Sequence, residues 1–421
     1  MRKLVLLTLL MLVFGIASGA FQASAQDEET NAPFLEMLAR IPAQSGANEW
    51  LSYIDYHAII DARPGAPSVH SWEEASTILD GDDKESGLLM SALMSFHSGP
   101  QDVPQQLMRA DETIDAIGID LFAVERAVEY GLPPTMVTIL EGDFDNEAIA
   151  ATFAEHDYTQ TDENGLTVLC PEAGCDTGMV TNLTTQDTAN IFGGQLGRSQ
   201  PILLSEQWLA SSPDDVALNG IVEAQSGASE SLLDEPAYRA AAEALSAQGT
   251  VLQAYFINPM DVGTNFMDIL LTNPRITPEQ IEAIREALET DFVPLPPYSL
   301  VALAQVAAEE EDLTVFALVY PDAEIANAAA EIIPDRIETY ISIAVQQPLS
   351  ELLDERSVTS MDTTVEETED RATLLITFHA SLPGTDATDD PLGSPSIGLV
   401  YATFVRAFLN RDLGWLATSL D

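Results

Sequence analysis

The chain has 421 residues, 46% of them hydrophobic, and 68 Asp and Glu stand against 16 Lys and Arg, a formal charge of −52. That apolar content specifies one large or two ordinary folded domains, not a disordered polyelectrolyte. Binding nucleic acid needs Lys and Arg to replace phosphate counterions, so the charge excludes DNA and RNA, disfavours anionic membranes, and leaves cations and basic proteins as attracted partners.

Arg2 and Lys3 precede an apolar run, Leu4 to Ile16, and Ala23-Ser24-Ala25 offers small residues before Gln26. This is the three-part secretory pattern, with residues 1–25 as signal peptide and cleavage between Ala25 and Gln26. The expected location is periplasmic or extracellular, with no transmembrane span after cleavage. Residues 26–33, "QDEETNAP", read as a disordered leader. Cys170 and Cys175 are the only cysteines, and in an oxidising compartment they are expected to close a short local disulfide.

From residue 50, "WLSYIDYHAII" reads as a strand, broken by "ARPGAP". Ser71 and Glu74 make a capping box that starts a helix. Residues 80–87 read as a loop and 98–105 as a Gly/Pro break. "DLFAVERAVEYG", 120–131, reads as a short helix with Asp120 as N-cap and Gly131 at C′. "TMVTIL", 135–140, is a β-branched strand, and "EGDFDNEAIAATF" then turns into a helix. Asp145 caps it, Glu147 faces its positive end, and Ile149 and Phe153 share a face. The acidic run is therefore a strand-to-helix turn. A calcium loop counted from Asp143 needs Gly at 148 and Glu at 154, where Ala148 and Ala154 stand; counted from Asp80 it meets Lys84 and Ser91. A hairpin with Asn164-Gly165 at its tip follows. Residues 171–200 are irregular, and their "FGGQLGR" lacks the spacing of a phosphate loop. A second hairpin, 201–211, leads to a helix capped by Ser212 with Pro213 at N1, and to another over 234–245.

From Thr250 the design begins again. "TVLQAYFI" is a strand, Thr277 and Gln280 cap a helix, and "PYSLVALAQVA" and "LTVFALVY" flank an acidic turn, Glu309 to Asp312. Asp322 caps an Ala-rich helix that Pro334 kinks or restarts. "SVTSMDTTVEE" and "RATLLITFHAS" form a hairpin in which Ala372, Leu374, Ile376, Phe378 and Ala380 share a face. "LPGTD", 382–386, mimics a sortase signal, but the segment after it is interrupted by Arg406, and Val400, Phe404 and Phe408 fit an amphipathic docking helix instead. The shared order of strand, Asp-capped helix and hairpin in 135–170 and 313–381 suggests internal duplication. The fold expected is α+β: two related modules, 34–247 and 248–421, of mostly antiparallel sheet with helices packed on one face, the second ending in that amphipathic helix.

Gly142, Phe144 and Asp145, then Tyr158, Gly165 and Val168, and later Asp234, Pro236 and Tyr238, resemble the motifs of a family of uncharacterised exported bacterial proteins, a domain of unknown function. The resemblance covers about a quarter of the chain. It implies export and an α+β fold, and it carries no activity.

Catalytic signatures are missing. Lys84 is followed by Glu85, so no Walker A lysine exists. There is no G-x-S-x-G elbow and no H-E-x-x-H. The histidines at 57, 70, 97, 156 and 379 are scattered, and so many acids make any carboxylate pair findable. No catalytic residue, metal ligand or cofactor is assigned. The preferred reading is a secreted acidic binding or interaction protein for an unknown protein or small ligand. The alternatives are a hydrolase using carboxylates gathered by the fold, and a surface protein that weakly holds divalent cations at the acidic tips 309–312 and 366–370.

Overall fold

The computed structural model describes residues 32–81, 84–163, 165–262, 277–280, 282, 293–308, 311–342, 344–381 and 398–418. The signal segment, the Ala25–Gln26 cleavage site and the sortase-like 382–386 lie outside the described residues. Among the described residues there are fourteen strands: β1 (Leu51–Asp55), β2 (Val124–Tyr130), β3 (Val137–Gly142), β4 (Tyr158–Glu163), β5 (Leu166–Pro171), β6 (Ile202–Leu204), β7 (Trp208–Ser211), β8 (Thr250–Ile257), β9 (Leu300–Ala307), β10 (Glu311–Tyr320), β11 (Ile341–Ser342), β12 (Gln347–Pro348), β13 (Val358–Glu367) and β14 (Ala372–Ser381). All but the short β11–β12 pair join one antiparallel sheet, ordered β13-β14-β10-β9-β8-β1-β2-β3-β7-β6-β5-β4.

The α+β class and the antiparallel sheet agree with the sequence. The helices differ from expectation, because they cover both faces. On the front face α1 (Ala32–Ala39), α8 (Asp215–Gln225) and α9 (Pro236–Ser246) enclose a core with Phe34, Leu38, Ile221, Ala241 and the front-facing strand residues Tyr53, Val128, Ala254 and Val315. The back face carries two cores. One lies under α2 (Tyr56–Ala62), α3 (Trp72–Leu79), α4 (Lys84–Leu93), α5 (Asp102–Gln106), α6 (Ala110–Ile117) and α7 (Asn146–Glu155). The other lies under α10 (Ala323–Thr339), α11 (Leu349–Glu355) and α12 (Leu399–Leu409). A sheet whose strands are buried on both sides needs cover on both; β8, β9 and β10 are buried in both registers almost throughout.

Outward from β1 and β8 the order is nearly the same in both directions: β1-β2-β3 then β5-β4, and β8-β9-β10 then β14-β13, with only the β7–β6 hairpin intercalated in the first half. α7 follows β3 and α10 follows β10, both on the back face. The boundary at 247/248 falls between α9 and β8, but β8 then pairs with β1, so the sheet runs unbroken from one half into the other.

Local grammar holds where a polar side chain caps a helix. Asp145 accepts from Ala148 N at 3.0 Å and Asp322 from Ile325 N at 2.9 Å. Thr277 and Gln280 make their reciprocal capping bonds. Ala372, Leu374, Ile376, Phe378 and Ala380 all enter the second back-face core, and α12 buries Val400 and Phe404 there. Six readings change. Residues 120–131 are not a helix: Asp120 caps only a 3-10 turn, Leu121–Ala123, and β2 follows, because hydrogen bonds from both β1 and β3 outweigh its mixed propensity. The strand at 50–60 stops at Asp55, whose side chain accepts from Ala58 N and begins α2. The loop at 80–87 is already helical from Lys84, and α5 occupies the break at 98–105. Asp214, not Ser212, caps α8, and the leader gives way to α1 at Ala32 because Phe34 and Met37 are buried. Cys170 and Cys175 are disulfide-bonded at the end of β5.

A polar chain ties the two back-face cores together. Gln253 Nε2 donates to Ser95 O at 3.0 Å and to Gln305 Oε1 at 2.6 Å, while its Oε1 accepts from His97 N at 3.0 Å. Gln305 Nε2 donates to Asp312 Oδ1 at 2.7 Å, and Asp312 Oδ2 accepts from Gly398 N at 2.6 Å. Gly398 has φ +77°, and a Cβ there would stand 2.9 Å from Gln305 Oε1. Gln305→Leu leaves Gln253 and Asp312 short of partners inside the protein, and is expected to cost about 3 kcal/mol in urea unfolding. Gly398→Ala is expected to cost about 1–2 kcal/mol at the same junction through its left-handed backbone.

Candidate functional site

β1, β2 and β3 carry acids on both faces, and the two faces treat them differently. In front, Asp55, Arg126 and Glu141 stand in one cross-strand row. Arg126 reaches Glu141 at 2.7 Å and Asp55 at 3.7 Å, and Arg40, from the end of α1, pairs with Glu141. Burial pushes Asp55 up to about 6 despite the Ala58 N–H and Arg126. Burial alone would lower Arg126, but Glu141 and Asp55 hold it above its usual value. This row is a self-contained ion network, and Glu141, the first acid of the 141–147 run, belongs to it.

Behind the same strands the compensation stops. Glu129 projects from β2 to the back face, directly opposite Ser52 of β1. Its carboxyl is largely enclosed although part of the residue reaches solvent. Burial, with Asp102 of α5 adding to it, pushes Glu129 up to about 7, against a hydrogen bond from Trp50. No arginine or lysine acts on it. Asp102 is also raised by burial and accepts from Gln195 Nε2 at 3.0 and 3.1 Å. Ser52 Oγ and Tyr56 Oη are buried and have no hydrogen-bond partner, and Tyr56 feels the Glu129 charge. The wall is aromatic: the Trp50 ring lies 5.2 Å from Tyr255 and 6.0 Å from Phe408 of α12. Glu129 thus lies where the two back-face helix groups meet, beside the Gln253–Gln305–Asp312 chain, and Tyr255 Oη donates to His97 O across that line.

The remaining sequence candidates fall elsewhere. Cys170 and Cys175 form their bridge far along the sheet from Glu129, toward the β4 edge. His57 lies in α2, not on a strand, and meets Phe122 O at 3.0 Å. His379 on β14 is bonded to Glu311 at 2.8 Å and Asp362 at 2.7 Å; burial lowers its value, but the two carboxylates outweigh that and raise it. In the acidic turn 309–312, Asp312 is buried in the polar chain and Glu311 is bonded to His379, while residues 309 and 310 lie outside the described residues. The tip after β13 adjoins the Tyr320 end of β10, the opposite end from Glu311, about 30 Å away along the strand. Among the described residues no group of three or more His, Cys, Asp or Glu is arranged to hold a metal ion, and no helix is long and apolar enough to cross a membrane. Sequence reasoning missed Glu129 because it misread β2 as a helix. Its alternation, Ala127 and Glu129 against Val128 and Tyr130, was the available signal.

No protein-family model matches the sequence, and no curated protein matches it. Solved structures it is similar to include crystal forms III, IV and I of TP0453, at 11%, 11% and 10% identity with TM-scores of 0.30, 0.32 and 0.32. The alignments cover 82%, 82% and 88% of this chain and 94%, 92% and 96% of those chains. Similarity of that depth carries no inference about this protein.

Two outcomes are expected. Arg126→Met leaves Asp55 and Glu141 buried with less counter-charge and should cost about 3–5 kcal/mol in chemical unfolding. Glu129 sits at about 7 in the folded chain against 4.5, and Asp55 and Asp312 at about 6 against 3.8. The folded state therefore binds more protons than the unfolded state between these values, so this stability is present at the acid end and is lost as pH rises through 6 to 7. Glu129→Gln removes one such group. Its melting temperature should exceed wild type by roughly 3 °C at pH 8, and the gap should shrink to roughly 1 °C at pH 5.

Proposed function

We propose that the chain is an exported, strongly acidic binding protein without catalysis, and that its ligand binds at Glu129. One observation carries this reading: a largely enclosed carboxylate, Glu129, that feels the Asp102 charge and no basic group, while the chain supplies Arg126 and Arg40 to the acids on the other face. Burying a charge without a partner is costly, and such cost is retained at places that bind. The unpartnered hydroxyls of Ser52 and Tyr56 belong to the same surface.

Export rests on the signal pattern of residues 1–25, with the Cys170–Cys175 bridge and the resemblance to exported proteins through Gly142, Phe144 and Asp145 in support. Internal duplication is favoured by the near-mirrored strand order on the two sides of the β1–β8 pair. The second reading is a hydrolase in which Glu129 exchanges the proton, because a carboxyl near 7 beside a second carboxylate suits general acid–base work. It is the weaker reading: Ser52 has no base hydrogen-bonded to it.

The experiment is native mass spectrometry of the purified protein against cationic, neutral and anionic small molecules, followed by analysis of the recovered compounds. Intact ligand, bound one per chain and lost in Glu129→Gln, is the expected result. Chemically altered ligand that survives intact with Glu129→Gln would move the assignment to the hydrolase. Expression of the full chain in a secreting host should yield an N-terminus at Gln26; an N-terminus at Met1 in the cytoplasm would overturn export.

A further inference from the structure

Glu129, Ser52, Tyr56 and the Trp50–Tyr255–Phe408 rings share one chemical bias. Glu129 and Asp102 are negative, and no basic group acts on Glu129. Ser52 is fully buried, sits opposite Glu129 in the β1–β2 register, and its hydroxyl oxygen has no partner; Tyr56 is likewise buried and unpartnered. The three rings approach one another at 5.2, 5.8 and 6.0 Å, with Trp50 and Phe408 partly open to solvent. The electron-rich faces of Trp and Tyr attract cations, most strongly where water is excluded.

Every one of these features complements a group that is positive, donates several hydrogen bonds and tolerates an apolar stem. Inorganic divalent cations fit poorly, since they require multiple oxygen ligands in close geometry, and no suitable group of three acidic, His or Cys side chains is present among the described residues. Anions are repelled twice, by the local acids and by the charge of −52 on the whole chain.

Resting on the proposed binding function, we infer that the Glu129 site recognises a small organic cation, a primary ammonium group on a compact apolar stem. The ammonium is the counter-ion of Glu129 and donates to the Ser52 and Tyr56 oxygens, and the stem lies against Trp50. The net charge of the chain concentrates such cations at its surface and speeds their encounter.

The test is isothermal titration calorimetry of the purified protein at pH 8 with benzylamine, benzyl alcohol and benzoate, at low and at moderate salt. The expected result is one saturable benzylamine site that survives moderate salt, with benzyl alcohol and benzoate at least tenfold weaker. Glu129→Gln should weaken benzylamine at least tenfold, and Trp50→Leu several-fold. Glu367→Gln, on the exposed β13 edge, should leave it unchanged. Circular dichroism and the melting temperature verify that Glu129→Gln is folded; Ser52→Ala, which removes only one oxygen and should weaken binding several-fold, provides the second variant. Benzylamine uptake that is unsaturable, that disappears with salt, or that Glu129→Gln leaves intact would overturn the inference as mere surface attraction. Tighter binding of benzyl alcohol or benzoate that still depends on Glu129 or Trp50 would overturn the ammonium assignment and leave the Glu129 site as a binding site. No binding of any of the three, with none for the wider panel of small molecules, would overturn both.

Discussion

The pairing of β8 with β1 is the constraint on which the rest of the structure depends. Leu51 to Ile54 align with Phe256 to Gln253, and this register joins two halves that would otherwise each present an unpaired strand edge. Once joined, the central strands are buried on both sides, and the chain must find cover for each. α9, from the first half of the sequence, lies against β9 and β10 of the second, and its Tyr238 packs on Phe256 at 5.4 Å. The back face is covered by two separate helix groups, so a line of contact between them is unavoidable.

That line is where polar groups collect. The amides of Gln253 and Gln305 and the carboxylate of Asp312 are satisfied in sequence, ending on a backbone N–H that Gly398 can present in a left-handed conformation. A fully connected buried network of this kind fixes the relative setting of the cores more than it adds stability. Glu129 lies near the same line but outside the network. Its strand, β2, is paired on both sides by β1 and β3, which fixes where the backbone of the acid stands. The outer edges of the sheet meet a different requirement. β4 and β13 are the terminal strands, and both carry acids, Asp162 in one and Asp362, Glu366 and Glu367 in the other. Charge at exposed edges discourages pairing with another chain, which gives part of the large negative charge an ordinary structural purpose.

The sequence was most legible where one residue does a local job. Asp145 and Asp322 announce their helices because a short carboxylate in the cap position answers a free backbone N–H wherever the chain goes next. The alternation of Ala372 to Ala380 determines a face because side chains on a strand point alternately to either side. Asp55 had the same capping chemistry, but the apolar pattern of "WLSYIDYHAII" continues through the change from strand to helix and conceals it. Residues 120–131 failed for a tertiary reason: Asp120 and Gly131 bracket a helix-length segment, and only the two neighbouring strands make it extended.

The sequence by itself determined the α+β class, the bridge between Cys170 and Cys175 as the sole cysteine pairing, and the capped helices, since each follows from interactions within a few residues or from composition. Only the tertiary structure decided which acids are paired and which are not. Arg40 reaches Glu141 from a hundred residues away in the chain, and Asp102 acts on Glu129 only because α5 is folded back over the β1–β2 pair. Charge falls off with distance in space, not along the sequence; with 68 acids and 16 bases in the chain, no reading of spacing could have told Glu141, paired with two arginines, from Glu129, on which no basic group acts.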